Sequence, residues 1–362
     1  MPEIAVTRTT QPKPRPADDG LGFGKVFTDH MFVMEYHAGR GWHDPRIIPY
    51  QPFSLDPATC VLHYAQAVFD GLKAFRGGDG AVRLFRAPRH AERLNRSCER
   101  LCIPPLDAGL VEQSFATLVG VDEAWVPSRP GTALYLRPTV IASEPFLGVH
   151  PSSSYIYFLI LCPVGAYYAE GMNPVKILVS DTHVRAVQGG LGDAKTAGNY
   201  AASLYAAEEA QRQGFTQVLW LDGVHRRYID EVGTMNIMVK IGDEIVTPPL
   251  SGTILPGVTR DSALTLMRDW GLRVSERAIG IDEVIAASRA GTLGEIWGTG
   301  TAAVVSPVGE LGYKGERIVI NGGRIGALTQ RLYDAIVGIQ YGTAPDRYGW
   351  TQVVVPRRSQ AA

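Results

Sequence analysis

The segment GGLGDAKTAGNYAAS, Gly189–Ser203, carries the most structural information in this chain. It places three glycines before a single lysine, Lys195, and a tyrosine, Tyr200, five residues after that lysine. A lysine near a helix start usually points to solvent, but Gly192 and Gly198 permit a close approach of the backbone on both sides. A buried lysine loses hydration, has a lowered pKa, and becomes a usable nucleophile or Schiff-base former. Lys195 is therefore a candidate catalytic residue.

A nucleotide-binding loop is the alternative interpretation of the same segment. A dinucleotide site requires G-x-G-x-x-G directly after a strand, and Gly190-Leu191-Gly192 supplies only the first half of that pattern. A phosphate-binding P-loop requires Ser or Thr after a Gly-Lys pair, and the sequence contains no such triplet. The glycines are therefore expected to make room for a different ligand.

Composition and charge restrict the class of protein. The chain has 362 residues, which is enough for two domains with separate cores. A net charge of -1 gives no general attraction to nucleic acid or to an anionic membrane. The four scattered cysteines indicate neither a disulfide framework nor a metal site. No apolar run is long enough to span a bilayer, so we expect a cytoplasmic enzyme without a metal ion.

The domain boundaries are predicted from the places where Pro and Gly interrupt the pattern. Residues 1–20 contain three prolines and no apolar core, which predicts a flexible tail rather than a signal peptide. PVGAYYAEGMNP, at 163–174, breaks the periodicity of the chain. We therefore predict a small N-terminal domain over 21–165, an interdomain loop over 166–176 and a larger C-terminal domain over 177–362.

Both domains combine strand and helix patterns, which indicates the α+β class. Strands are predicted at Phe27–Tyr36, Ala81–Arg86, Leu134–Ala142 and Tyr155–Cys162, and RYIDEVGTMNIMVKIGDEIVTPPL is predicted to form antiparallel strands. Helices are predicted in RAPRHAERLNRSCERL, AASLYAAEEAQRQG, PGVTRDSALTLMRDWG and LTQRLYDAIVGIQYG. IWGTGTAAVVSPV is predicted to be a glycine- and threonine-rich loop.

Further residues indicate the chemistry of the ligand. Glu231, in EVGTMN, lies in an apolar stretch, where it is either a turn carboxylate or the partner of a cationic ring nitrogen. The amides of Val258 and Thr259 begin a predicted helix, whose dipole favours phosphate, and Arg93 could add positive charge. Together with Lys195, these residues suit a phosphate, a basic ring nitrogen and an aldehyde. Pyridoxal 5′-phosphate carries all three groups.

Seven motifs in order give the chain its resemblance to branched-chain amino-acid aminotransferases, which are pyridoxal-phosphate enzymes of fold type IV. They are LHYAQAVFDGLKAFR, LYLRP, EPFLGV, GDAKTAGNYAAS, EVGTMNI, LPGVTRDS and GTGTAAVVSPV, and the similarity extends from Phe23 to Trp350. The resemblance implies an α+β fold with a small N-terminal α/β domain and a larger C-terminal domain that contains an antiparallel-rich, barrel-like sheet.

The resemblance also implies roles for the cofactor-binding residues. Lys195 resembles the family's catalytic lysine, which forms an aldimine with the cofactor. Tyr200 resembles the tyrosine at the phenolic oxygen of the cofactor, and Glu231 resembles the carboxylate at its ring nitrogen. The positions that bind the phosphate in the family are matched by Arg93, Val258, Thr259 and Thr301.

The substrate pocket is assigned in the same way. Pocket-lining positions of the family are matched by Phe23, Tyr64, Phe69, Tyr135, Tyr167 and Thr234. Arg137 matches the arginine that receives the distal carboxylate of glutamate, with the Tyr64 hydroxyl beside it. Thr301 and Ala302 match the positions that bind the α-carboxylate. Leu147 and Val149 match a loop that reaches the pocket of a partner subunit, which implies a homodimer.

The activity implied is ping-pong transamination of leucine, isoleucine and valine with 2-oxoglutarate, to give branched 2-oxo acids and L-glutamate. The alternatives are another fold type IV activity, either D-amino-acid transamination or aminodeoxychorismate lyase, and a non-catalytic binding protein. Two positions depart from patterns in the family. Ala303 and Ser306 replace a Cys-x-x-Cys pair that some members carry, and Ala197-Gly198 replaces Gly-Gly.

Overall fold

The computed structural model describes residues 3–165 and 172–355 of the chain. Contacts between Cα atoms divide the chain into two compact units. Unit 1 comprises Met1–Tyr167, Ala194–Ala197 and Gly338–Ala362, and unit 2 comprises Tyr168–Asp193 and Gly198–Val337. The α+β class predicted from the sequence is confirmed, because each unit contains one nine-stranded sheet together with helices.

Unit 1 is built on an almost entirely antiparallel sheet, in the order β1-β3-β2-β8-β7-β5-β6-β18, with β4 paired to β7. Its strands are β1 (Ala5–Val6), β2 (His30–His37), β3 (Gly41–Pro49), β4 (Ala67–Phe69), β5 (Leu72–Arg76), β6 (Val82–Phe85), β7 (Ala133–Ala142), β8 (Ser154–Val164) and β18 (Thr351–Val355). Only the short β1–β3 pair is parallel. Buried and partly buried positions alternate along β8, as expected for a strand with one face toward a core.

Helices cover the apolar side of this sheet. They are α1 (Cys60–Tyr64), α2 (Ala87–Arg100) and α3 (Ala108–Val121), and single 3-10 turns occur at Asp18–Gly20 and Glu123–Trp125. Leu94 and Cys98 of α2, whose spacing predicted this helix, are fully buried in one cluster with Phe115 of α3 and Leu136 of β7. The core of unit 1 therefore lies between this helix pair and the sheet.

Unit 2 contains a mixed sheet, in the order β11-β10-β9-β16-β15-β12-β13-β14, with β17 paired to β16. Its strands are β9 (Val175–Ser180), β10 (Gln217–Leu221), β11 (Ile229–Val232), β12 (Asn236–Ile241), β13 (Glu244–Thr247), β14 (Arg273–Glu276), β15 (Leu293–Gly300), β16 (Val304–Tyr313) and β17 (Glu316–Val319). β9 runs parallel to both of its neighbours, and β13 runs parallel to β14. The remaining pairs are antiparallel, so the expected antiparallel character prevails.

The helices that lie wholly or mainly in unit 2 are α4 (Ala197–Arg212), α5 (Val258–Asp269), α6 (Ile281–Arg289) and α7 (Ala327–Tyr341), with a 3-10 turn at Asn321–Gly323. Of these, α4, α5 and α7 begin and end within about four residues of the predicted positions, whereas α6 was not predicted. Gly214 adopts a φ of 80° just after α4, as expected for a glycine that follows a helix end. No helix among the described residues has both the length and the apolar character needed to cross a bilayer.

Three features differ from the sequence-based description. Ala5–Val6, within the predicted flexible tail, pairs with β3, and Ile4 is buried. The predicted loop IWGTGTAAVVSPV is mainly β15 and β16, joined by a turn at 301–303, because its small residues pair across the two strands. Gly338–Ala362, predicted in the second domain, belongs to unit 1, where β18 pairs with β6. Unit 1 is therefore the longer unit, whereas a smaller N-terminal domain was expected.

Candidate active site

Lys195 lies in the four-residue segment that belongs to unit 1. The amide of Lys195 donates a hydrogen bond to Ser97 Oγ at 2.9 Å, and the amide of Phe69 donates to the Lys195 carbonyl at 3.1 Å. The next residue, Thr196, forms a β-bridge with Val68. The Lys195 side chain is half-buried, and its Nζ lies 4.9 Å from the centre of the Phe69 ring. The backbone of Lys195 is thus fixed from both sides, and its amine lies against an aromatic residue predicted to line the substrate pocket.

Arg93 is held by a buried acid that the sequence analysis missed. Asp70 is fully buried and accepts hydrogen bonds from Arg93 Nε at 2.9 Å and Arg93 Nη2 at 2.8 Å. It also accepts one from His90 Nδ1 at 2.7 Å and one from the Gly71 amide at 2.7 Å. Burial alone would raise the pKa of Asp70, but the charges and hydrogen bonds of Arg93 and His90 hold it well below its usual range. Asp70 therefore fixes the plane of the Arg93 guanidinium.

Arg137 lies in an aromatic environment and forms no salt bridge with a carboxylate of the described residues. Its Nη2 donates to Tyr135 Oη at 2.9 Å, and its guanidinium carbon lies 4.7 Å from the Phe69 ring centre and 5.2 Å from the Tyr135 ring centre. Phe23 packs on Tyr135, with ring centres 5.0 Å apart. The buried Arg137 Nε has no hydrogen-bond partner among the described residues. This half-buried cation is therefore suited to receive an anionic group.

The other predicted substrate residues of unit 1 are more exposed. Tyr64 is 41% exposed at the end of α1, and the hydroxyl that contacts Arg137 is that of Tyr135. Leu147 and Val149 are 66% and 88% exposed, respectively. Tyr167 lies outside the described residues.

Glu231 is the centre of a buried polar cluster in unit 2. Its carboxylate forms a salt bridge with Arg185 Nε and accepts a hydrogen bond from Asn236 Nδ2 at 2.8 Å. Arg185 also donates to the Gly192 carbonyl at 2.9 Å, which links Glu231 to the glycine-rich segment. The same Asn236 Nδ2 donates to the Leu255 carbonyl at 2.9 Å. Glu231 is only 4% exposed, so this set of partners compensates for the burial of its charge.

The start of α5 packs directly against this cluster. Val258 and Thr259, both 6% exposed, are its first two residues, and the preceding Gly257 has no side chain that could cap their amides. A Cβ at position 257 would lie 1.9 Å from Asn236 Oδ1. Glycine therefore allows the helix N-terminus, which favours anions, to approach the partner of Glu231.

Four other predicted residues of unit 2 lie at turns or at a helix start. Thr301 and Ala302 form the half-buried turn between β15 and β16, and Thr234 lies in the exposed turn between β11 and β12. Tyr200 lies in the first turn of α4. Beside the Thr301 turn, the hydroxyl of Thr299 is buried and has no hydrogen-bond partner among the described residues. That hydroxyl is available for a polar group of a ligand.

Each unit, taken by itself, carries groups that suit parts of pyridoxal 5′-phosphate. In unit 1, the Lys195 amine could bond to an aldehyde, and the oriented guanidinium of Arg93 suits a phosphate. In unit 2, the buried carboxylate of Glu231 suits a cationic ring nitrogen, and the α5 N-terminus and the unpartnered hydroxyl of Thr299 suit polar or anionic groups. The sequence analysis missed Asp70, Arg185 and Asn236. For Asp70 and Arg185 the available signal was a charged residue within an apolar or small-residue stretch, which requires a partner when buried.

Comparisons with known proteins agree with this chemistry. The family profile described as Amino-transferase class IV matches residues 67–311. Branched-chain-amino-acid aminotransferase 2 of Bacillus subtilis is 56% identical to this chain over 351 residues, which cover 97% of each protein. Branched-chain-amino-acid transaminase 1 of the same organism is 54% identical over 345 residues, covering 95% of this chain and 97% of that protein.

Solved structures share the fold. The branched-chain amino acid aminotransferase of Escherichia coli superposes with a TM-score of 0.75 at 24% identity and covers 90% of this chain and 99% of its own. A branched-chain amino acid aminotransferase from Thermobaculum terrenum, solved in its PLP form, gives a TM-score of 0.71 at 20% identity and covers 90% of this chain and 98% of its own. At this level of identity the similarity establishes the fold alone.

Proposed function

The chain belongs to the class IV aminotransferase family, among the branched-chain-amino-acid aminotransferases, and on that basis we propose that it transfers amino groups between leucine, isoleucine or valine and 2-oxoglutarate. The products are the branched 2-oxo acids and L-glutamate. The enzyme is a transaminase of fold type IV, as the sequence analysis predicted. D-amino-acid transamination and lyase activity are not favoured.

The environment of Arg137 is the observation that carries the substrate assignment. A pocket for both leucine and glutamate must accept an aliphatic chain and, in the other half-reaction, a second carboxylate. The rings of Phe69, Tyr135 and Phe23 provide apolar contacts, and Arg137 lies among these rings without a carboxylate partner of its own in the described part of the chain. Since an aliphatic pocket discriminates one methylene by only about 1–3 kcal/mol, we expect all three branched substrates to react.

The cofactor-binding roles follow from the same set of residues. When bound, pyridoxal 5′-phosphate would supply an aldehyde that takes up the amino group and a ring that accepts electrons. Lys195 would hold the aldehyde end, and its Nζ would accept and return the Cα proton of the amino acid. Glu231, with Arg185 and Asn236, would present a fixed anion to the ring nitrogen, and Tyr200 would orient the phenolic oxygen.

The phosphate end is assigned to a separate group of residues. Arg93, oriented by Asp70, would provide the charge, and the α5 N-terminus would provide the amides of Val258 and Thr259. Thr301 would add a hydroxyl. With Ala302, it would also bind the substrate α-carboxylate. A phosphate anchored in this way keeps the reacting carbon in place as the substrates exchange.

We further propose that the enzyme works as a cytoplasmic homodimer, in which Leu147 and Val149 complete the pocket of the partner subunit. The exposure of both side chains supports an insertion of this kind. The four cysteines are all free, which is consistent with a reducing compartment.

Half-reactions of the variant Arg137→Ala test the substrate assignment. We expect kcat/KM for L-glutamate to fall by about two orders of magnitude or more, because a carboxylate then loses its cationic partner. The value for L-leucine should fall by less than about tenfold, since the aromatic walls remain. Stopped-flow spectroscopy of each half-reaction measures both values, and Arg129→Ala, at an exposed arginine, is the control.

Two results would contradict the proposal. Equal decreases in kcat/KM for L-glutamate and L-leucine would contradict the role assigned to Arg137. A wild-type enzyme that uses D-alanine but not L-leucine with 2-oxoglutarate would instead indicate D-amino-acid transamination.

A further inference from the structure

The hairpin of β2 and β3 carries two histidines on the side opposite to the core. Tyr36 and Trp42 pair across the hairpin and pack against the hydrophobic cluster of unit 1. Alternation along each strand places their neighbours His37 and His43 on the other side of the sheet. The strand register pairs His43 with Glu35, two residues before His37, so the histidines occupy diagonal positions.

The two imidazoles are in direct contact. His37 Nδ1 lies 2.9 Å from His43 Nε2, and the planes of the two rings differ by 17°. On the other side of the second ring, His43 Nδ1 lies 2.8 Å from Asp44 Oδ2, and Arg40 pairs with the same carboxylate. In a neutral His43, the N–H therefore lies on Nδ1 and is donated to Asp44. The lone pair on Nε2 then faces His37.

We propose that His37 and His43 form a binding site for a divalent transition metal ion. Two nitrogens that share one ion at about 2.0–2.1 Å lie roughly 3 Å apart or slightly more, which is close to the present separation. Binding moves the N–H of His37 from Nδ1 to Nε2, so both facing nitrogens offer lone pairs and no proton is released. The donation from His43 to Asp44 is the carboxylate–histidine arrangement that orients metal-binding imidazoles in other proteins.

The neighbouring carboxylates determine how complete this site is. Ligand atoms of Glu35, His43 and Asp44 lie within 4.8 Å of one another. However, both oxygens of Glu35 accept hydrogen bonds from Arg46, at 2.7 Å and 3.1 Å, so Glu35 is not free to bind an ion. The protein thus provides two nitrogen ligands, and water fills the remaining positions. Ions with a strong preference for imidazole should bind best, with Cu²⁺ ahead of Ni²⁺ and Zn²⁺.

Cysteine spacing alone led to the expectation of no metal ion, and it could not reveal this site. The two histidines are six residues apart in the sequence, and the turn of the hairpin brings them together. The site is built entirely from unit 1 residues that have no assigned role in transamination. Its presence or absence therefore does not bear on the proposed function.

Titration of the holoenzyme with Cu²⁺, Ni²⁺ and Zn²⁺ tests the proposal. The variants are His37→Ala, His43→Ala and Asp44→Asn, and the control is His150→Ala, which removes another exposed histidine of unit 1. We expect isothermal titration calorimetry to show affinity at least about tenfold weaker in each histidine variant. Asp44→Asn should weaken binding by a smaller factor, and His150→Ala should not change it.

Spectroscopy and stability provide independent readouts. The electron paramagnetic resonance spectrum of the Cu²⁺ complex should show coupling to two imidazole nitrogens in the wild type and to one at most in either histidine variant. Binding to the folded protein should also raise the thermal midpoint of the wild type. Wild-type affinity in either histidine variant would overturn the proposal. So would an equal loss in His150→Ala, or equal thermal midpoints of the wild type with and without metal.

Discussion

Asp230 is a buried acid that is incompletely paired, in contrast to its neighbour Glu231. The residue is only 7% exposed. Its Oδ1 accepts a long hydrogen bond of 3.2 Å from Thr253, and its Oδ2 has no hydrogen-bond partner among the described residues. Burial raises the pKa of Asp230 to about 6, against the opposing effects of Thr253 and Arg185. Two adjacent acids on one strand therefore have different electrostatic environments.

The variant Asp230→Asn should change how stability depends on pH. The carboxyl of the unfolded chain ionises near pH 4, whereas in the folded protein it ionises near pH 6. Between these values the folded state binds more protons, so this group lowers stability as the pH rises through the window. Asparagine removes that loss. We expect the free energy of unfolding of the variant, relative to the wild type, to be greater at pH 8 than at pH 4.5 by about 1–2 kcal/mol.

Urea denaturation at a series of pH values measures this difference. Asp222→Asn is a control of opposite sign, because backbone amides outweigh the effect of burial and lower the pKa of Asp222. The stabilisation from Asp222 is complete above its unfolded pKa and is lost as the pH falls toward its folded pKa. The free energy of unfolding of Asp222→Asn, relative to the wild type, should therefore be lower at pH 8 than at pH 4.5. Parallel pH profiles for Asp230→Asn and the wild type would contradict the assigned pKa.

The sequence pointed to the residues proposed to bind the cofactor, but it did not point to the residues that hold them in place. Lys195, Glu231 and Arg93 belong to recognisable motifs, and within its own unit each lies in a polar or aromatic environment that suits its predicted role. Asp70 and Arg185 act on these residues through contacts 23 and 46 residues away in the chain. Contacts at such separations depend on the packing of whole strands, which local sequence patterns do not specify.

At the scale of elements, the contact between α5 and β12 links two motifs. Gly257 has a φ of -72°, which any residue could adopt, so glycine is required there for space alone. A methyl group at this position would collide with Asn236 Oδ1, and Asn236 supports Glu231. The close approach of this helix start to the strand therefore positions two parts of the proposed cofactor site at once.

Gly257→Ala should weaken cofactor binding and lower stability. We expect a loss of about 1–3 kcal/mol in the free energy of unfolding, because either the helix start or Asn236 must move. The dissociation constant of pyridoxal 5′-phosphate should also rise, as measured by equilibrium dialysis. Gly120→Ala is the matched control, since a Cβ there meets nothing within 4 Å and alanine favours the helix by about 1 kcal/mol. Unchanged stability and cofactor affinity in Gly257→Ala would contradict this account of the contact.

Element prediction succeeded where the periodicity was strong. β7 and β8, with alternating branched and aromatic residues, lie within two residues of their predicted bounds, as does the start of α7. The glycine- and threonine-rich segment was expected to be a loop because its composition disfavours strands, yet β15 and β16 pair there. Burial against neighbouring strands outweighs intrinsic propensity at such positions. α3 and α6 were not predicted at all.

At the scale of the whole molecule, the proposed dimer predicts that two defective chains can complement each other. One chain carries Lys195→Ala, and the other carries Leu147→Asp with Val149→Asp. Each variant alone should be nearly inactive with L-leucine. In a mixed dimer, one pocket combines the intact lysine of the second chain with the intact loop of the first, so co-expression should restore activity.

The activity of the purified co-expressed protein with L-leucine is compared with that of each variant alone. Sedimentation measures whether each preparation is dimeric. The control for the loop variant is Val319→Asp, which places an aspartate at an exposed valine elsewhere in the chain. This variant should be active by itself. If the loop variant is fully active, or if the mixed dimer is as inactive as its parents, the shared pocket is contradicted.

The pairing of β18 with β6 has a consequence for the synthesis of the chain on the ribosome. β6 ends at Phe85, whereas its partner begins at Thr351. During synthesis, β6 therefore stays unpaired on this edge of the sheet until more than 260 further residues have been added to the chain. An open strand edge is a site of aggregation. Chaperone demand and misfolding should therefore be greatest late in translation, and truncation before β18 should affect the first unit rather than the second.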